Sequence, residues 1–166
     1  MPPAFRALRS RGFRLFYVGQ FISVLGTWMQ TVATSWLVYR LTGSPFLMGL
    51  TAFAQQIAVL FLGPIAGVFA DRHNRRHVLM LVQSLALAQA VVLAVLMFSG
   101  ALQVWHIITV SLVLGVVNAF ETPTRQALLL DLVDDRADLP NAIALQSMMM
   151  NTTRLIGPSL AGIVLA

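Results

Sequence analysis

Long apolar runs separated by short charged clusters set the pattern of this chain. Residues 41–70 and 78–120 contain no Asp, Glu, Lys or Arg. Between them lies a link only a few residues long, Asp71-Arg72-His73-Asn74-Arg75-Arg76. A link that short between two runs of membrane-crossing length is read as a hairpin turn at a membrane face. The pattern predicts five helical spans, at 15–39, 46–70, 77–98, 105–125 and 140–166, after a basic lead over 1–14. The expected fold class is all-α: a polytopic membrane protein with five transmembrane helices.

The polar positions inside the spans are not scattered. In the first span Gln20, Ser23, Thr27, Gln30, Thr31 and Thr34 recur every three to four residues and form one stripe. Gly19, Gly26 and Ala33 form a second stripe of small residues, of the kind that lets helices approach closely. The polar stripe is either interhelical glue or the lining of a water-filled path. Ser44 and Pro45 read as the N-cap and first residue of the second span. That span holds Gln55, Gln56 and the pair Gly63 and Gly67 around Pro64, whose ring frees the carbonyl of Leu60. Gln83 and Gln89 are the polar points of the third span. The fourth opens at Trp105 and reaches Glu121-Thr122-Pro123-Thr124-Arg125 at its inner end. The fifth carries Arg154, Gly157, Pro158 and Gly162.

Spans two and five resemble each other: Leu62-Gly63-Pro64 parallels Ile156-Gly157-Pro158, each at a similar distance from a helix-starting proline, Pro45 and Pro140. The two spans cross in opposite directions. Gly/Pro-interrupted segments at matching positions of two halves mark an inverted repeat of the transporter type, here truncated after five of six helices. Chance recurrence of Gly-Pro in membrane helices is the alternative.

Composition sharpens the class. The chain has 166 residues, 58% hydrophobic and 10% charged, with mean hydropathy +0.80. Soluble domains carry about 25% charge, so the partner is the lipid bilayer. The +5 net charge and pI near 11.4 do not point to nucleic acid, because the arginines flank apolar runs rather than covering a soluble face. Nine of the 11 arginines fall on the N-terminal side of the membrane and only Arg40 on the other. That bias predicts a cytoplasmic N-terminus in a cell inner, or plasma, membrane. The lead, with Arg6, Arg9, Arg11 and Arg14 between Phe5, Leu8 and Phe13, is expected to lie at the interface as an anchor.

Two charges stand out. Asp71 falls at the negative end of the second helix, an unfavourable placement of roughly 0.3–1 kcal/mol, and is expected to have a partner elsewhere. Arg154 lies about 20 Å into the fifth span, where an arginine costs roughly 2.5–3.5 kcal/mol. It is expected to face a cavity or a partner, with Glu121 as the nearest acidic candidate. Gln20, Gln30, Glu121 and Arg154 are the candidate transport-path residues. His73 and His77 straddle a turn with no carboxylate ligand and read as a solvated loop; no metal or cofactor site is expected. The chain has no cysteine, no phosphate loop and no nucleophile–base constellation, so an enzyme is not expected.

The hairpin resembles the signature loop of the major facilitator superfamily, G-x-x-x-D-R-x-G-R-R. Gly67, Asp71, Arg72, Arg75 and Arg76 match; Asn74 stands where the family has Gly, a departure that a left-handed turn would tolerate. The Gly157-Pro158…Gly162 segment is similar to that superfamily's antiporter motif. The stretches around Pro123–Arg125 and Asn151–Arg154 look like its drug:proton antiporter branch, which includes enterobactin exporters. The resemblance implies a major-facilitator-type bundle that exports small hydrophobic molecules or siderophores, with protons as coupling ion, Asp71 in a gating loop, and further spans completing the transporter. Ser111 stands where the family often has a proton-coupling arginine. A non-transporting membrane assembly or regulatory subunit is the competing class.

Overall fold

A computed structural model describes residues 3–133 and 135–165. Met1 and Pro2 of the lead, Asp134 of the inner loop, and Ala166 at the expected end of the fifth span lie outside the described residues. The described chain is helical with no strand: a 3-10 helix Pro3–Arg9, then α1 (Arg11–Thr42), α2 (Pro45–Arg72), α3 (Arg75–Phe98), α4 (Val104–Leu132), a 3-10 turn Arg136–Asp138, and α5 (Leu139–Leu165). Among the described residues, α1 to α4 are long and apolar enough to cross a membrane. The fifth helix has 27 residues, length enough to cross, and is interrupted by the polar segment Asn151–Arg154; it is not among those four.

The boundaries follow from local chemistry. Ser44 accepts a hydrogen bond from the Leu47 N–H, and Pro45 opens α2. Gly43 supplies the left-handed residue between α1 and α2, with φ +63°. Asn74 opens α3, its side chain accepting from the N–H groups of Arg76 and His77 at 3.1 and 3.4 Å. Its φ is −64°, so the left-handed turn expected at this position does not form. Gly100, φ +69°, follows the end of α3. In α4 the helix continues through Pro123 to Leu132, so the apolar stretch after Arg125 belongs to the same helix.

Bilayer-type surfaces run along the helices. Phe46, Leu60, Phe61, Leu87, Phe98, Leu155 and Ile163 are all exposed. In water these side chains would need cover. In hydrocarbon they need none, because lipid tails are as apolar as leucine and the backbone bonds are closed within each helix.

The chain divides into two compact units, each with its own core. The first holds the lead, α1 as far as Ala33, the end of α4 from Leu128, and α5. Tyr17 meets Leu145 and Trp28 meets Gly157, so α1 and α5 run parallel. The buried residues of α5, Ala142, Leu145, Met149, Thr153, Gly157 and Ala161, repeat every three to four positions and make one face. On α1, Phe13, Gln20 and Val24 make the buried face. The glycine stripe expected on α1 is not what closes this seam: a Cβ at Gly19 or Gly26 would meet no described atom within 4 Å. The glycine comes from α5 instead, and a Cβ at Gly157 would stand 2.6 Å from the Trp28 Cβ.

The lead, expected at the interface, also has partners within the protein. It docks on this unit: the Ala7 N–H donates to Asn141 Oδ1 at 3.1 Å and Arg6 Nε lies 3.3 Å from Asp138 Oδ1. The physical reason is complementarity, since its arginine meets an aspartate and its N–H meets the first turn of α5.

The second unit holds the rest of α1, α2, α3, and α4 as far as Ala127. Val78 and Val82 of α3 pack on Val117 of α4, and Arg75 meets Ala127, so α3 and α4 are antiparallel. The second and fourth helices are parallel: Gln55 meets Gly115 and Phe69 meets Phe120 edge-on, with ring centroids 5.7 Å apart. At Gly115 a Cβ would overlap the Gln55 carbonyl oxygen and come within 2.9 Å of its carbon. Each unit thus contains one parallel helix pair closed by a glycine of the later helix.

Candidate functional site

The hairpin between α2 and α3 carries the first candidate set. The charges that oppose their helix ends face each other: Asp71 Oδ1 lies 3.9 Å from Arg75 Nη2. Within the chain the near charge of Asp71 is thus a neighbour in the same hairpin. The pair is loose, with the aspartate side chain 75% exposed, and exposed pairs contribute only about 0–1 kcal/mol. Arg75 is held better than Asp71, since its Nη1 also donates to the Ala127 carbonyl of α4 at 3.4 Å. Arg72 and Arg76 are exposed, and Gly67 lies inside α2 in open space. His73 stacks on Phe69, with ring centroids 3.9 Å apart.

The inner end of α4 carries the second set. Glu121 Oε1 accepts from Arg125 Nη1 at 3.3 Å, and both side chains are only 7% exposed. Four residues apart, they bracket Pro123, and between them the Thr124 hydroxyl donates to the Phe120 carbonyl at 2.7 Å. The structure therefore pairs Glu121 within its own helix. Arg125 Nε is buried and has no partner among the described residues. Sequence reasoning passed over Arg125 as a candidate, although Glu and Arg at i and i+4 on a helix are within reach of one another.

The seam of α1 and α5 carries the third. Arg154 is exposed, and its guanidinium carbon lies 5.7 Å from the centroid of the Trp28 ring, so its near neighbour is an aromatic face rather than a carboxylate. Pro158 sits inside α5, Gly157 makes the crossing with Trp28, and Gly162 is open. The polar stripe of α1 divides by chemistry. Thr27 and Thr31 donate to the carbonyls of Ser23 and Thr27, four residues back, and need no neighbouring helix. Gln20 differs: it is 1% exposed, and neither amide atom has a partner among the described residues. Gln30 is half-buried. Among the described residues no three His, Cys, Asp or Glu side chains group as a metal site would require.

Residues 3–166 match the family described as Transmembrane secretion effector, of the major facilitator type. The staphyloferrin A transporter of Staphylococcus aureus is 30% identical over 154 residues, which are 92% of this chain and 38% of that protein. An uncharacterized MFS-type transporter, YfiS, of Bacillus subtilis is 27% identical over 99% of this chain and 38% of its own. Macrolide efflux protein A of Streptococcus pyogenes is 22% identical over 92% of this chain and 37% of its own. This chain thus spans about two fifths of the length of these curated relatives. No solved structure matches it significantly.

Proposed function

The chain belongs to the transmembrane secretion effector family of the major facilitator superfamily, a multi-pass membrane protein, and on that premise we propose that it forms the first five helices of a proton-coupled exporter of small molecules. The observation that carries this reading is the family match across residues 3–166, in relatives named for staphyloferrin A transport and for macrolide efflux. Small hydrophobic molecules or siderophores are the proposed cargo. Further spans complete the transporter, because alternating access needs two bundles rocking about a site between them. The N-terminus is proposed to be cytoplasmic in the inner, or plasma, membrane.

Roles for the candidate residues belong to the same proposal. Gly67, Asp71, Arg72, Arg75 and Arg76 form the gating loop. A loose, exposed Asp71–Arg75 pair suits it, because such a contact breaks at little energetic cost. Gln20, Gln30, Glu121 and Arg154 serve the transport path, and Gly157, Pro158 and Gly162 the antiporter-type segment.

The test uses inverted membrane vesicles from cells expressing the chain together with the spans that complete it. With an imposed pH gradient, labelled erythromycin or staphyloferrin A should accumulate, and a protonophore should abolish the uptake. Asp71→Asn should lower turnover and leave equilibrium binding of the same probe largely intact. Accumulation that ignores the protonophore would remove proton coupling. A chain that accumulates no probe and forms a stable oligomer by itself would instead be a non-transporting membrane subunit.

A further inference from the structure

The lead makes a graded series of contacts with one end of the first unit. Arg6 pairs with Asp138 at 3.3 Å, just before α5. The Ala7 N–H donates to Asn141 at 3.1 Å, in the first turn of α5, and the Ala7 side chain is buried. The Ser10 hydroxyl donates to the carbonyl of Leu132, the last residue of α4, at 3.4 Å. Phe13 follows, wholly buried, against the rings of Phe16 and Tyr17. The Tyr17 hydroxyl donates to the Leu145 carbonyl at 3.2 Å, one turn further along α5. A short stretch of chain thus binds the end of α4, the start of α5 and the start of α1.

Above these contacts lies Gln20, and beyond it the crossing of Gly157 with Trp28. A buried amide with neither atom bonded opposes closure of the seam that hides it, because water would satisfy both atoms if the seam parted. The contacts of the lead act the other way. Most of them are polar. Arg6, half-exposed, is the most accessible of them. Losing a partly exposed ion pair of this kind costs only about 0–1 kcal/mol, so the contact opens readily.

We propose that the lead is a strap that holds one end of the α1–α5 seam shut, with Arg6–Asp138 as its releasable contact and Gln20 as the polar group that opening presents to water. The strap would set how often this seam opens, whatever is transported and whether or not the chain transports.

The chain has no cysteine, so a single reporter thiol has no background. Val24→Cys places it at a buried position on the seam face of α1. In membranes from cells expressing the protein, its labelling by N-ethylmaleimide should be slow. Adding Asp138→Arg should raise the rate by about fivefold, the shift expected from losing one partly exposed ion pair. The swap Arg6→Asp with Asp138→Arg should return the rate to that of the reporter alone. Where Asp138→Arg does not accumulate, Asp138→Asn serves, with a smaller rise that high salt does not increase further. An unchanged rate in the single variant, or no return in the swap, overturns the strap. Neither readout involves transport, so its failure is distinct from failure of the exporter reading.

Discussion

The chemically most exacting residues are Glu121 and Arg125. Two charges in a site only 7% exposed lose most of their hydration, and each depends on the other to offset that loss. Removing one partner strands the other. Arg125→Ala should therefore destabilise the protein by about 3–5 kcal/mol, while Glu121→Gln with Arg125→Met should recover most of it. Thermal unfolding in detergent reads both. A single variant as stable as the parent would mean that the pair is well hydrated in the membrane. Arg154 behaves differently, because it is exposed and lies over the Trp28 ring, so the neighbour it finds in its own unit is neutral.

At the scale of the element, helix starts were legible and helix crossings were not. Ser44-Pro45 predicted the start of α2, because capping is decided within one turn of chain. Asn74 was legible as a turn residue, but its mechanism differs from the one expected: it caps α3 at negative φ rather than taking a left-handed conformation. The distinction is measurable. Asn74→Ala should cost about 1 kcal/mol through the lost cap, whereas Asn74→Gly, the family's own residue, should cost only a few tenths. Equal losses in the two variants, measured by denaturation in mild detergent, would show that the cap contributes nothing. Crossings depend on the partner helix. Of the glycines on helix faces, Gly115 and Gly157 are the ones where a Cβ would collide with a neighbour, while Gly19, Gly26, Gly63, Gly67 and Gly162 open on space. A glycine marks where approach is permitted; only the neighbour decides whether approach occurs.

For the whole molecule, the arginine asymmetry makes the sharpest prediction. Asn74→Cys should react with an impermeant maleimide only from the cytoplasmic side, and Ser44→Cys only from outside, because the two cap opposite ends of the membrane-crossing helices α3 and α2. Labelling of Asn74→Cys from outside intact cells would reverse the orientation. The lead has the arginines and phenylalanines of an interfacial anchor, and composition does not reveal its contacts within the protein, where Arg6 lies beside Asp138 and Phe13 is buried.

What the sequence determined by itself were the quantities that depend on neighbours along the chain. The apolar runs defined helices of membrane-crossing length, the hairpin motif and the Gly-Pro segments defined the superfamily, and the caps placed the start of α2. These are local or additive, so they survive in one dimension. Tertiary structure alone decided which polar groups find partners far along the chain: Arg6 with Asp138, Ala7 with Asn141, and Gln20 with none among the described residues. Partner choice turns on distances of about 3 Å between atoms as many as 134 positions apart in sequence, and no periodicity along the chain carries that information.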